Sequence, residues 1–304
     1  MKRTLLLGNG LNRTLDNGIS WEDLLTQLGA TNDEVHGHSV PFPMLFEQLA
    51  AQRGVMPSAR GRNAYKELKH EVAQSISEHL GVPGRIHCQF ASLPYSNIIT
   101  TNYDETFEYA YERLDRLVTL NRLVTNPGSS RNIVKAYSTV NDIPIYHAHG
   151  HARWPGTMCL GYEHYISLIT KIRNEIYPAP SEKDSDSRSH LEELIRSSDG
   201  SEEIWPLLLL TTDVDIVGLE LSYSETDLWW LLSLRASLFM AEESLRSFAN
   251  KIPYYAVKTD EKSDFDSPKL RMLRSLDINV VTLKEETYLR GYEAIANRIS
   301  QSFA

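Results

Sequence analysis

Asn102 is the first residue whose surroundings suggest chemistry. It lies in the run Thr101-Asn102-Tyr103-Asp104, which directly follows a predicted buried strand at residues 97–100. An amide both donates and accepts hydrogen bonds, so Asn102 could hold a ribose hydroxyl or a water molecule, and the Asp104 carboxylate could fix a sugar hydroxyl or the loop. An Asx cap on the next helix is an equally open interpretation of this pair. Thr101 belongs to the same strand end and is a candidate binding residue.

Three histidines, His147, His149 and His151, alternate at the end of another predicted strand. On a continuous strand they would share one face, which suggests a metal site. Neither cysteine nor a clear carboxylate cluster lies near them in sequence, and Gly150 is expected to break the strand before His151, so we predict no metal. His149 is better placed to act as a base, because an imidazole with an ordinary pKa of about 6.5 transfers protons near neutrality.

The first strand is predicted at residues 4–7, and a glycine turn follows it. Glycines lack the Cβ atom that would hold a pyrophosphate away from the backbone, and free N–H groups in such a turn can point at the anion. Arg13 stands where the third glycine of the usual dinucleotide-binding fingerprint would be, so a simple strand-ending turn remains the alternative. The candidate cofactor-binding residues of this turn are Gly8, Asn9, Gly10, Leu11 and Asn12.

A further strand, predicted at residues 214–217, also runs into a glycine at the same sheet edge. Gly218 and Ser222 could contact a ribose or phosphate groups there. Ser224 and Asp227 have the spacing of a capping box, which would account for both residues as the start of a helix. The sequence leaves these two interpretations open.

These strand ends meet only if the strands are parallel neighbours in one sheet. Buried strands alternate with helices near the start and in the last third of the chain, which predicts an α/β fold with a Rossmann-like, doubly wound, mostly parallel sheet. We expect a single domain over residues 1–304 with two insertions. The first, at about 40–93, is helical, and the second, at about 178–203, is polar and predicted to be mobile.

The bulk composition restricts the class of protein. Apolar residues make up 41% and charged residues 23% of the 304 residues, as in ordinary soluble proteins. A net charge of −9 without a basic stripe argues against direct nucleic-acid binding. Two cysteines supply no disulfide framework and no four-cysteine zinc ribbon, and neither a signal peptide nor a membrane-spanning run is evident. We therefore expect a cytoplasmic protein.

Taken in order, these motifs resemble the sirtuin superfamily, with the closest likeness to its bacterial defence-type branch. The likeness spans roughly residues 4–283 and rests on the glycine turn and four further runs: Gly18-Ile19-Ser20-Trp21, Thr100-Thr101-Asn102-Tyr103-Asp104, His149-Gly150 and Ile216-Val217-Gly218. The resemblance implies that the glycine turn and the loop carrying Trp21 bind NAD+. It also implies that Asn102 and Asp104 serve the nicotinamide and ribose site, and that His149 is the base.

Two departures separate the chain from protein-deacylating sirtuins, which carry a zinc ribbon and a Pro-Asp-Phe-Arg stretch where this sequence has Ser20-Trp21-Glu22-Asp23. Defence-type NAD+ hydrolases share both departures. The resemblance therefore implies an NAD+ hydrolase that releases nicotinamide and ADP-ribose, with NAD+ as substrate and without metal. A deacylase, an ADP-ribosyl transferase and a catalytically silent ADP-ribose or nucleotide sensor are the alternatives.

Loss of NAD+ is toxic to a cell, so such an activity must be restrained. The sequence contains no recognisable sensor domain, which suggests control by assembly or by a separate protein. The resemblance implies an effector of abortive antiphage defence that forms a homo-oligomer and has a regulatory partner such as a HerA-type ATPase.

Overall fold

A mixed sheet organises the described part of the chain. The computed structural model describes residues 2–16, 18, 20–29, 40–55, 62–115, 119–122, 133–178, 187–197, 203–259 and 266–303. Its strands are β1 (Arg3–Leu7), β2 (Asn97–Thr100), β3 (Leu120–Arg122), β4 (Ser138–Val140), β5 (Ile143–His147), β6 (Asp213–Val217), β7 (Pro253–Lys258) and β8 (Asn279–Lys284).

The strands lie in the order β3-β4-β5-β2-β1-β6-β7-β8. Strands β3 and β4 pair antiparallel, and β4 also pairs antiparallel with β5, whereas the remaining neighbours pair parallel. Counted among themselves, the parallel strands have the order 3-2-1-4-5-6, which is that of doubly wound dinucleotide-binding sheets. The predicted α/β, Rossmann-like fold is confirmed. Its topological switch point lies between β1 and β6.

Helices cover both faces of this sheet. They are α1 (Trp21–Gln27), α2 (Phe42–Gln52), α3 (Arg62–Glu78), α4 (Arg85–Ala91), α5 (Thr106–Leu114), α6 (Tyr162–Ile176), α7 (Ser187–Ser197), α8 (Trp205–Thr211), α9 (Thr226–Ala241), α10 (Pro268–Ser275) and α11 (Tyr288–Phe303). Because both faces are covered, the central strands β1, β2 and β6 are almost continuously buried and read as apolar runs rather than alternating ones. No helix in the described ranges has the combined length and apolar character needed to cross a membrane.

The helical segment predicted at about 40–93 contains α2, α3 and α4. Helices α2 and α3 build a core of their own with α1, centred on Phe46 and Leu68, and Tyr103 from the end of β2 packs into that core. The segment is therefore joined directly to a strand end that carries polar residues. In the polar segment predicted at 178–203, the mobility prediction falls on residues 179–186 and 198–202, which lie outside the described residues.

Candidate active site at the carboxyl edge of the sheet

Asn102 and His149 follow two strands that are parallel neighbours, so both lie at the same carboxyl edge of the sheet. Thr100 of β2 pairs with His147 of β5, and Ala148 N donates to Thr100 O at 2.8 Å. Asn102 and His149 each follow one of these paired residues by two positions. The His147 ring joins the two strand ends, since its Nδ1 lies 2.8 Å from the Asn102 carbonyl oxygen.

The Asn102 side chain is held while its amide oxygen stays available. Its backbone N–H donates to Thr100 Oγ1 at 3.0 Å, and its Nδ2 donates to Gly8 O at 3.4 Å. The Oδ1 atom is buried and has no hydrogen-bond partner among the described residues. This amide therefore offers a fixed acceptor at the sheet edge, and its own donor is directed at the glycine turn.

His149 forms a buried pair with Asp227, a residue of α9. The His149 Nε2 atom lies 3.1 Å from Asp227 Oδ2, and the ring packs edge-on against Tyr165 with a centroid separation of 5.4 Å. A carboxylate only accepts, so Nε2 carries the proton and Nδ1 of neutral His149 presents a lone pair. Burial alone would lower the pKa of His149, but the charge and hydrogen bond of Asp227 together with the charge of Glu225 outweigh burial, so the pKa is raised.

Asp227 is a site residue that the capping-box interpretation missed. Helix α9 has Glu225 at its N-cap and no side-chain cap bond there, and Ser224 Oγ lies 3.0 Å from Ser222 Oγ instead. The capping box predicted from Ser224 and Asp227 is therefore wrong. An acid in the first turn of a predominantly apolar helix was the available signal, because such an acid is buried in the fold, as Asp227 is here, and needs a charged partner.

The other two histidines have structural environments. His147 Nε2 lies 2.9 Å from Glu108 Oε1, so both ring nitrogens of His147 have partners. The His151 Nδ1 atom accepts from Arg153 N at 3.0 Å. Strand β5 ends at His147, and Gly150 has a φ of +92°, so the alternation does not place all three rings on one face. No group of His, Cys, Asp or Glu in the described ranges is arranged to hold a metal ion.

Asp104 joins the glycine turn to β2. Its Oδ1 accepts from Thr106 N at 2.9 Å at the start of α5, and its Oδ2 accepts from Asn12 Nδ2 at 2.9 Å. Asn12 Oδ1 in turn lies 3.0 Å from His87 Nε2. Burial raises the pKa of Asp104 and lowers the pKa of His87 to about 4, so His87 is neutral near pH 7 and donates to Asn12. The N-cap of α5 is Glu105, and Asp104 bonds to the first residue of the helix from one position before this cap. Its predicted role at the ribose stays a prediction.

The glycine turn packs against the loop that follows β6. Gly8 N donates to Val217 O at 3.0 Å and Gly10 N donates to Gly218 O at 2.8 Å. A Cβ atom at Gly8 would overlap the backbone of Gly218 and Leu219. The glycines are thus required by the close approach of two loops at the switch point, in addition to any ligand.

The remaining predicted binding residues also lie at this edge. Thr101 N donates to Leu7 O at 3.0 Å, which keeps β2 aligned with β1. Ser222 N donates to Glu225 Oε2 at 2.7 Å, and Leu11 is buried beneath the turn. Asn9 is half-buried. The side chain of Trp21 lies outside the described residues.

Glu225 is a second acid that the sequence did not reveal. It is half-buried at the N-cap of α9, two residues before Asp227. Burial and the nearby charge of Asp227 raise the pKa of Glu225 to about 7, against the opposing effect of His149. The charge of Glu225 also contributes to the raised pKa of His149, so the two groups titrate in each other's field.

Comparison with models of protein families gives a match to part of the chain. The family model described as a SIR2-like domain matches residues 96–202, which include Asn102, Asp104 and His149 but neither the glycine turn nor Asp227. The match supports a sirtuin-like protein, and since SIR2-like domains bind NAD, it indicates an NAD-using activity in general. No curated protein matches the chain.

Proposed function

We propose that this protein is an NAD+ glycohydrolase that releases nicotinamide and ADP-ribose. The observation that carries the proposal is the His149–Asp227 pair at the same sheet edge as Asn102, because this edge then holds a base of fixed tautomer and an amide acceptor without a partner among the described residues. Ligands of doubly wound sheets bind at this edge, next to the switch point. The glycine turn at the same edge suits a pyrophosphate.

NAD+ supplies a bond that breaks without acid assistance, because nicotinamide leaves a cationic ring as a neutral molecule. The protein must then position a nucleophile and accept its proton. Asn102 Oδ1 accepts a hydrogen bond from water or a ribose hydroxyl, and His149 Nδ1 takes the proton when the water oxygen bonds to the ribose carbon. Asp227 holds Nε2–H and stabilises the imidazolium that results. Solvent finally receives the proton.

The biological part of the proposal is an antiphage effector in the cytoplasm. Support comes from the motif likeness to defence-type NAD+ hydrolases and from the toxicity of NAD+ loss. We propose that homo-oligomer assembly or a partner such as a HerA-type ATPase restrains the activity until infection.

The test is nicotinamide release from NAD+, followed by chromatography with purified protein, alone and with candidate partners. We expect release by the parent protein and its loss in Asn102→Ala and His149→Gln, while His70→Gln, on the exposed face of α3, retains it. Glutamine is chosen at 149 because alanine would leave the Asp227 carboxylate buried without a partner. A parent protein that binds ADP-ribose yet releases no nicotinamide under any activating condition would favour the sensor alternative.

A further inference from the structure

Tyr292 of α11 places its hydroxyl group against the glycine turn. The residue is 6% exposed, and a Cβ atom at Gly10 would overlap the Tyr292 hydroxyl oxygen. Among the described residues this hydroxyl has no hydrogen-bond partner. The hydroxyl oxygen is not one of the fully buried polar atoms that lack a partner, so it reaches solvent at the turn and can bond to a ligand atom.

Arg13 provides a positive charge beside this hydroxyl. Its guanidinium is near enough to Tyr292 to act on the charge of the phenol, and its side chain is exposed. The backbone N–H of Arg13 donates to Asn9 O at 3.1 Å, which fixes the residue on the turn that follows β1. Arg13 makes no ion pair within the described ranges. It occupies the position where the usual dinucleotide fingerprint has its third glycine.

We propose that the Tyr292 hydroxyl and the Arg13 guanidinium bind the diphosphate of the dinucleotide at the glycine turn. This inference rests on the proposed function, since the ligand is the same NAD+. A diphosphate fits because it offers acceptor oxygens to a neutral O–H donor and negative charge to a cation. The turn lies at the switch point between β1 and β6, where the backbone can approach a phosphate closely.

The local structure explains why the third glycine of the usual fingerprint can be replaced by Arg13. In the usual fingerprint that glycine lets a helix pack closely on the strand. In this chain only a 3-10 turn, Asn12–Thr14, follows the motif, so no such packing is required and a cation is accommodated. Tyr292 comes from the far end of the sequence and lies outside the matched family segment.

Tyr292→Phe and Arg13→Gln test the proposal, with Tyr288→Phe, an exposed tyrosine of the same helix, as the matched control. Calorimetry measures ADP-ribose affinity, and melting temperature reports folding. A hydrogen bond to a charged group corresponds to about a tenfold change in affinity, so we expect each variant to bind ADP-ribose roughly tenfold more weakly than the parent. The control should bind ADP-ribose as tightly as the parent. The Arg13→Gln variant should also lose part of the salt dependence of binding. For NAD+ turnover, KM should rise while kcat is retained.

The outcomes separate the two proposals. If the parent binds ADP-ribose and both variants bind it equally well, the diphosphate assignment is wrong and the hydrolase proposal is unaffected. If the variants lose affinity but the parent never releases nicotinamide, the diphosphate assignment stands and the hydrolase proposal fails. A parent that binds neither ADP-ribose nor NAD+ overturns both.

Discussion

Asp227→Asn isolates the electrostatic role of the buried pair with little change of shape. In the parent, Asp227 Oδ2 accepts from His149 Nε2 at 3.1 Å, which leaves the Nδ1 lone pair free. An asparagine in the same place can donate its Nδ2–H to Nε2, which moves the imidazole proton to Nδ1. The ring would then present a donor where the proposed reaction requires a base.

The expected loss is large in rate and smaller in stability. Loss of a correctly protonated general base costs about 10²–10⁴ in kcat. The pKa of paired His149 is raised, so its pairing stabilises the fold below about pH 6.5 and this contribution disappears as the pH rises through the raised folded-state pKa. The difference in free energy of unfolding between parent and Asp227→Asn should therefore shrink at high pH.

The assay follows nicotinamide release from about pH 5.5 to about pH 9, beside urea unfolding at the same pH values. In the parent, activity should rise with pH as His149 loses its proton. Asp266→Asn, a change in an exposed carboxylate, serves as the matched control and should behave like the parent. If folded Asp227→Asn kept more than about half of the parental kcat across this range, the assignment of His149 as an Asp227-oriented base would be wrong.

Three further perturbations test neighbouring groups. Glu225→Gln removes a charge that raises the pKa of His149, so the acid limb of the rate profile should move to lower pH; an unmoved limb would contradict the coupling. His147→Ala leaves the Glu108 carboxylate buried without its partner and should lower the free energy of unfolding by about 3–5 kcal/mol in urea, and a loss below about 1 kcal/mol would refute this. His87 has a folded-state pKa of about 4, so the unfolded chain binds more protons between about pH 6.5 and pH 4. As the pH falls over that interval, the free energy of unfolding of the parent should decrease by about 3 kcal/mol, and that of His87→Gln should not. An equal pH dependence of the two proteins would contradict this role of His87.

The sheet was predictable from local sequence because its central strands are short apolar runs that end in glycine or asparagine. The predicted bounds of β2 coincide with the observed strand, and β1, β6, β7 and β8 differ from their predicted bounds by about a residue at the ends. Strand β5 ends at His147, although its predicted run continued to Gly150. Parallel strands place their carboxyl ends at one edge, so the placement of Asn102 and His149 at the same edge followed from the fold class alone. Helices α6 and α8 received no assignment from sequence, and α8 is an almost entirely buried leucine-rich helix whose lack of amphipathic periodicity hides it.

The partners of the histidines could not be predicted in this way. His149 and Asp227 are 78 positions apart, and their pairing depends on how α9 packs below the sheet edge. Ser224 and Asp227 have the spacing of a local capping pattern. A buried carboxylate, however, is stabilised more by the hydrogen bond and charge of an imidazole than by a backbone N–H that it would share with water. The histidine alternation did not place all three rings on one face because β5 ends at His147 and the backbone turns at Gly150, although the His147 and His151 rings still contact each other.

The distribution of unpaired polar atoms favours a binding site over a purely structural edge. The described part of the chain has five buried side-chain oxygens without a hydrogen-bond partner: the hydroxyl oxygens of Tyr111 and Tyr137, Glu108 Oε2, Asn102 Oδ1 and Asp227 Oδ1. The last two belong to residues of the candidate site. Each such atom costs about 1–3 kcal/mol when nothing satisfies it. Buried ion pairs contribute little net stability in compensation. A sheet edge selected for stability alone would carry apolar side chains at positions 102 and 227, so the retention of Asn102 and Asp227 supports the proposed ligand site.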